Sequence, residues 1–255
     1  MVNRRDTQNV TNYANNRKNN NSPKVISLFT GAGGFDIGFE RAGFSIAVAV
    51  EADPACCETL RTNRPNLQII NEKIENVSSE TILNVGKLKP LEAALVIGGP
   101  PCQSFSLAGL RKGLDDDRGR LLFEFVRIVR DTLPSGFVLE NVRGLASWDK
   151  GRALGLLIEE LTKPIEYQKE IYKYTVANPQ IMNAVDFGVP QYRERVILVG
   201  NRIEKNFVYP SIKIMSNSYS TVWDAIGKLP APQEPSETAL RVASTIKERK
   251  ERHGY

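Results

Sequence analysis

The chain has 255 residues, 41% of them hydrophobic, enough to bury the core of one large α/β domain or two small ones. No stretch approaches the roughly 20 apolar residues of a membrane span, and the polar, Asn-rich N-terminus lacks a signal-peptide h-region. The formal net charge of +5 sits almost wholly at the ends: residues 1–24 carry +4 and residues 231–255 carry +1, which leaves 24 basic and 24 acidic residues between them, a neutral span that does not advertise a DNA-binding surface.

The only histidine is His253, which argues against histidine-built metal sites and against Ser-His-Asp or Cys-His catalysis. The three cysteines are an odd number, and Cys56 and Cys57 are adjacent and poorly placed to pair. Reduced thiols in a cytosolic compartment are expected.

Residues 1–23 are polar and nearly free of large apolar groups, so a disordered leader is expected there. From Val25 the pattern alternates. Val25–Phe29 predicts a buried strand, followed by a Gly-rich turn and a helix over 35–42. Phe44–Val50 predicts a second strand, and 53–64 a helix with Asp53 as N-cap. Leu67–Ile70 predicts a third strand and Leu95–Ile97 a fourth, with a long Gly/Ser/Asp-rich loop after it. A helix is expected over 121–133, a strand over 137–139, a helix over 151–161, an exposed strand over 167–175 and a strand over 196–199. Thr221–Leu229 predicts one more helix, closed by Pro230, and residues 231–255 form a charged tail. Strands alternating with helices imply an α/β, doubly wound, mostly parallel sheet, with an antiparallel pair at one edge. The catalytic domain is expected over 24–230.

Cys102 stands out. It follows the apolar stretch Leu95-Val96-Ile97 in the run Gly98-Gly99-Pro100-Pro101-Cys102-Gln103-Ser104. Most cysteines are small buried hydrophobes. Here two prolines fix φ and donate no backbone hydrogen bonds, so the thiol is held out of a regular ladder as a candidate nucleophile.

Four further features accompany it. Phe29-Thr30-Gly31-Ala32-Gly33-Gly34-Phe35-Asp36 sits between a strand and its helix, where backbone can approach a ligand; Asp36 stands where the dinucleotide fingerprint has its third glycine. Glu51 closes the second strand, placed to accept bonds from ribose hydroxyls. Together these favour a nucleoside cofactor without a required pyrophosphate. Glu140, in Leu139-Glu140-Asn141-Val142, lies at the C-terminal end of the fifth strand and shares the strand-end crevice with Cys102. Arg193 and Arg195 alternate, so both point to one side of a strand.

These segments, in this order, closely resemble the cytosine-C5 DNA methyltransferases over residues 25–230. Phe29–Gly38, Glu51, Pro100-Pro101-Cys102-Gln103, Arg118–Leu121, Glu140-Asn141-Val142 and Gln191–Arg195 each match a motif of that family. The resemblance implies the S-adenosylmethionine-dependent (Rossmann-like) methyltransferase fold. It implies S-adenosylmethionine as cofactor, lined by Phe29, Glu51, Pro100 and Leu121 with backbone contacts from Gly31 and Gly33. It implies a flipped cytosine, attack on C6 by Cys102, activation at the N3/N4 edge by Glu140, and support from Arg193 and Arg195. Gln103 and Ser106 would lie on the loop that closes over DNA.

Two departures qualify the match. Where the family places an acidic residue to bind adenine, this chain has Lys73 with Glu72 one earlier; either Glu72 substitutes through a shifted turn or the contact is lost. The family also continues into a target-recognition region and a final helix, whereas this sequence stops soon after Thr221–Ile226. The expectation is a catalytic subunit of a split, two-chain type II modification methyltransferase. It would act on double-stranded DNA with a second subunit, in the bacterial cytosol or nucleoid, as part of a restriction-modification system. An inactive truncated relative and an RNA cytosine-C5 methyltransferase stay open as alternatives. A nicotinamide dehydrogenase is disfavoured by the broken glycine spacing and the Cys102 loop.

Overall fold

Val25, Ile26 and Leu28 are fully buried on β1 (Lys24–Leu28), an interior strand of an eight-stranded sheet. The computed structural model describes residues 22–101, 117–212, 214 and 218–229, with scattered positions between 237 and 248. Two compact units divide it. The first holds everything through Asn183 together with Arg193–Ser211; the second holds Ala184–Tyr192 and the residues from Ile212 onward.

In the first unit, β1 is followed by α1 (Gly34–Arg41), β2 (Ser45–Val50), α2 (Pro54–Asn63) and β3 (Ile69–Ile70). Asp53 caps α2 as the sequence predicts, its side chain accepting from the Ala55 N–H at 2.8 Å, with Pro54 in the first turn. A 3₁₀ turn (Ile74–Asn76) and α3 (Ser79–Gly86) lead to β4 (Leu95–Gly98). Then come α4 (Asp117–Thr132), β5 (Gly136–Val142), the short α5 (Gly144–Ser147) and α6 (Arg152–Thr162). A hairpin of β6 (Ile165–Tyr167) and β7 (Glu170–Tyr172) precedes β8 (Thr175–Val176), β9 (Gln180–Asn183) and β10 (Glu194–Asn201).

The strand order is β3-β2-β1-β4-β5-β10-β8, with β9 also pairing β10. The first five strands run parallel, and β10 lies antiparallel to β5 with Ile197 opposite Glu140. The doubly wound sheet and its antiparallel edge are therefore both present. The order reverses between β1 and β4, so a crevice opens beyond the carboxyl ends of those two strands.

The main core lies on one face, where Phe125 of α4 meets Phe137 of β5 edge-on at 6.2 Å, with Ile26, Leu28, Val96, Ile128 and Leu139 around them. Each such fully buried apolar side chain contributes about 1.5–3 kcal/mol. A smaller cluster of Val25, Ile46 and Ile97 lies under the aromatic row Phe35, Phe39 and Phe44.

The structure departs from the sequence expectations in several places. The exposed strand expected over 167–175 is broken, because Gln168 and Lys169 both take positive φ (51° and 69°) and turn β6 back onto β7. The third strand is only two residues long. Helix α3 and strand β9 were not foreseen; α3 starts at Ser78, whose hydroxyl accepts from the Thr81 N–H at 3.0 Å, and it buries Ile82 and Leu83.

In the second unit, α7 (Val222–Ile226) opens on a capping box between Thr221 and Asp224 and is shorter than the 221–229 helix expected. Tyr219 donates to Asp186 and stacks edge-on with Tyr192 at 6.0 Å.

Candidate active site

The site is built where β1, β2, β4 and β5 end. β4 stops at Gly98 opposite Leu139, so Gly99 lies beside Glu140 on the neighbouring strand. A Cβ on Gly99 would sit 3.1 Å from Glu140 Oε2, so this approach favours a residue with no side chain.

Glu140 alternates with Phe137 and Leu139, which face the main core, and so projects from the opposite face of the sheet. Its carboxylate is 23% exposed. Arg195, diagonal to it on β10, places Nε 2.9 Å from Oε1, and Arg193 Nη2 reaches the same oxygen at 3.5 Å. The two alternate arginines lie on one side, as their spacing predicts, and both reach the same carboxylate. The Arg193 N–H is itself tied to Asn183 Oδ1 at 2.9 Å, which fixes the start of β10.

Asn141 was not singled out in the sequence. It points the other way from Glu140 and is 2% exposed. Its Nδ2 donates to the Pro100 carbonyl at 3.0 Å, and its Oδ1 accepts from the Val142 N–H. The segment leading to Cys102 is thus tied to the strand that carries Glu140. Cys102, Gln103 and Ser106 lie outside the described residues.

Beyond the ends of β1 and β2 is a cavity of about 490 Å³ lined by Phe29, Val50, Glu51, Lys73, Ile74 and Leu121, among others, with Gly99 and Pro101 at one side. Phe29, Glu51 and Leu121 are thus brought together as expected, and Pro100 lies between two lining residues. Gly31 enters through Glu51, whose Oε2 accepts from the Gly31 N–H at 2.6 Å while Oε1 accepts from the Asp53 N–H at 2.8 Å. Each carboxylate oxygen keeps a second lone pair for a ribose hydroxyl. Asn71 Nδ2 donates to the carbonyls of Glu51 and Ala52, so the strand end is held from behind.

Glu72 and Lys73 both line the cavity. Glu72 Oε1 accepts from Asn76 Nδ2 at 3.0 Å and from the Lys73 N–H at 2.8 Å, and these bonds hold its carboxyl below the usual range. From α4, Arg127 Nη2 donates to the carbonyls of Ile74 and Val77, fixing the turn that forms this wall. Neither Arg127 nor Asn71 carries a motif signature; each acts on backbone far away in sequence.

The cavity fits S-adenosylmethionine. Its volume is that of a small-molecule site. Phe29, Ile74 and Leu121 offer apolar surface to a base, and Glu51 offers acceptors to ribose hydroxyls. The nearby carboxylates of Glu51, Glu72 and Glu75 suit a cation, as the sulfonium is.

The family model for C-5 cytosine-specific DNA methylases matches residues 23–253. The type II methyltransferase M.AquIA of Picosynechococcus sp. is 52% identical over 91% of this chain and 99% of its own length. M1.HphI of Haemophilus parahaemolyticus is 38% identical over 80% of this chain, but that match spans 52% of the relative; for M.PspPI of Psychrobacter sp. the values are 42%, 72% and 40%. The chain thus spans about half the length of these last two relatives. Among solved structures, a DNA modification methyltransferase encoded within a prophage of Escherichia coli superposes with a TM-score of 0.67 at 28% identity, covering 83% of this chain and 56% of that one. The chain belongs to the C-5 cytosine-specific DNA methylase family, whose members take their methyl group from S-adenosylmethionine.

Proposed function

We propose that this chain methylates C5 of a flipped cytosine in double-stranded DNA, acting with a second polypeptide that supplies target recognition. The observation that carries the reading is the clamped carboxylate of Glu140. It stands next to Gly99, which lines the cofactor cavity together with Pro101, the residue just before Cys102.

In this reading Cys102 adds its thiolate to C6 of the extruded base. Glu140 bonds the N3/N4 edge and favours protonation at N3, which draws electrons from C6 and makes it a better electrophile. Arg195 and Arg193 hold Glu140 in place through Oε1, which leaves Oε2, on the Gly99 side, to meet the base. S-adenosylmethionine would supply an electrophilic methyl group to the electron pair at C5, its S–CH3 bond breaking to leave a neutral thioether, while N3 returns its proton to Glu140. Once C5 gives up its proton to solvent water, the C5–C6 double bond re-forms and the Cys102 thiolate leaves.

The two-chain part is supported by the length relations. M.AquIA is matched almost end to end, whereas M1.HphI and M.PspPI extend well beyond the matched part. The neutral span between residues 25 and 230 points the same way, because it leaves DNA affinity to be supplied elsewhere. A role in protecting host DNA within a restriction-modification system is the corresponding biological reading.

The test is incorporation of a labelled methyl group into duplex DNA. The reading expects little from this chain alone and a large gain when it is mixed with a polypeptide carrying a target-recognition region. Strong, site-specific methylation by the chain alone contradicts the second subunit. No methylation under any pairing contradicts the activity.

A further inference from the structure

We infer that Arg64 is a positioning residue for cofactor binding, gripping the Gly31–Gly33 turn from the side opposite Glu51. This rests on the cofactor reading given above. Pro65 ends α2 and leaves Arg64 as its C-cap. The guanidinium folds back under α1 and is 15% exposed. Nη1 lies 3.3 Å from Asp36 Oδ2, while Nη2 donates to the Gly33 carbonyl at 3.2 Å and meets Glu40 Oε2 at 3.2 Å.

Asp36 is fully buried and is the one such charged residue among those described. Its Oδ1 accepts from Ser27 Oγ at 2.6 Å, and Thr30 Oγ1 donates to that same hydroxyl at 3.0 Å. A continuous polar chain therefore runs from β1 through Asp36 and Arg64 back to the turn. Gly33 has φ of +87°, and a Cβ there would lie 2.5 Å from Arg64 Nη1 and 2.8 Å from Leu60 Cδ2, so the turn rests directly on the guanidinium.

Across the turn, Gly31 is held by Glu51, which lines the cavity. The two holds act on opposite ends of a three-residue turn, so a shift of Gly33 is passed to Gly31 and on to Glu51. An arginine fork is needed, because a lysine ammonium on one stem cannot satisfy the Asp36 carboxylate and the Gly33 carbonyl in the same fixed geometry.

Glu40 gives the control. It shares Arg64 but makes no bond to the turn. The experiment compares wild type, Arg64→Lys, Asp36→Asn and Glu40→Gln by calorimetric binding of S-adenosylmethionine and by amide NMR of the cofactor-free chain. KM for cofactor and kcat are then measured in whichever assembly methylates DNA.

We expect Arg64→Lys to weaken cofactor binding about tenfold, the worth of one charge-assisted hydrogen bond. KM should rise with it and kcat at saturating cofactor should stay close to wild type. Asp36→Asn should move the same way by less, and the Gly31 and Gly33 amide resonances should shift in both. Glu40→Gln should leave affinity and those resonances unchanged. Wild-type affinity in Arg64→Lys, or an equal loss in Glu40→Gln, overturns the inference. A wild-type chain that binds no cofactor in any assembly overturns the functional reading and takes this inference with it.

Discussion

Arg195 Nε and Glu140 Oε1 stand 2.9 Å apart across the antiparallel pair β10–β5, although 55 positions separate them in the chain. The ladder creates this meeting. Ile197 is directly opposite Glu140, so Arg195, two residues earlier on the same face, becomes its diagonal neighbour. Replacing Glu140 by Gln should lower DNA methylation about a hundred- to ten-thousand-fold, the usual worth of a positioned acid–base group. The same change should move the urea midpoint little, because the carboxylate is partly solvated. Rate and denaturation measured on one preparation check both halves.

Asn141→Ala should cost more stability than Glu140→Gln. It removes the donor to the Pro100 carbonyl and the acceptor for the Val142 N–H in a buried place, and about 1–3 kcal/mol is expected for groups left without partners there. Asn141→Asp should be at least as harmful, because a carboxylate oxygen would then face the Pro100 carbonyl oxygen. Chemical denaturation of the two variants tests this.

Burial raises the Asp36 carboxyl above the usual aspartate range, outweighing the lowering effects of the Ser27 hydroxyl and the Arg64 charge. The folded chain therefore binds this proton more tightly than the unfolded chain does. The associated stability is fully present below the unfolded value of about 4 and is lost as pH rises through the folded value. Asp36→Asn has no such dependence. Wild-type stability should accordingly fall relative to that variant as pH is raised from about 4 toward neutrality. Urea midpoints of both proteins across that range give the sign directly.

Burial also pushes the thiols of Cys56 and Cys57 up, with Asp53 and Glu51 adding to the effect at Cys56 and Glu51 at Cys57. Cys57 is fully buried, and its thiol donates to the Glu51 carbonyl at 3.4 Å. In a Cys102→Ser chain at neutral pH, a thiol reagent should label these two more slowly than in urea, since reactivity follows the thiolate fraction. Labelling at the unfolded rate would contradict the folded environment described.

Much of the site was legible because strand period and motif order act locally. Glu140 follows from its place at a strand end, and Arg193 and Arg195 follow from their alternation. The Gly31 turn follows from its position between a strand and a helix. The rest depends on pairs that the fold alone brings together. Arg64 meets Asp36 across 28 positions, Arg127 meets Ile74 across 53, and Asn141 meets Pro100 across 41. No sequence window contains both members of such a pair. The β6–β7 hairpin was hidden for another reason: Gln168-Lys169 occupies positive-φ positions without the Gly or Asn that marks such a turn.

The central claim is that Cys102 and Glu140 act on one extruded cytosine beside the cofactor cavity. It is tested most directly by incubating the chain, together with the polypeptide proposed to supply target recognition, and S-adenosylmethionine with duplex DNA carrying 5-fluorocytosine at the target position. Fluorine at C5 blocks the final elimination, so a covalent protein–DNA adduct should accumulate. Peptide mapping should place the link at Cys102, Cys102→Ser should abolish it, and Glu140→Gln should slow it strongly. An adduct that persists in Cys102→Ser, or one that maps to another residue, contradicts the account.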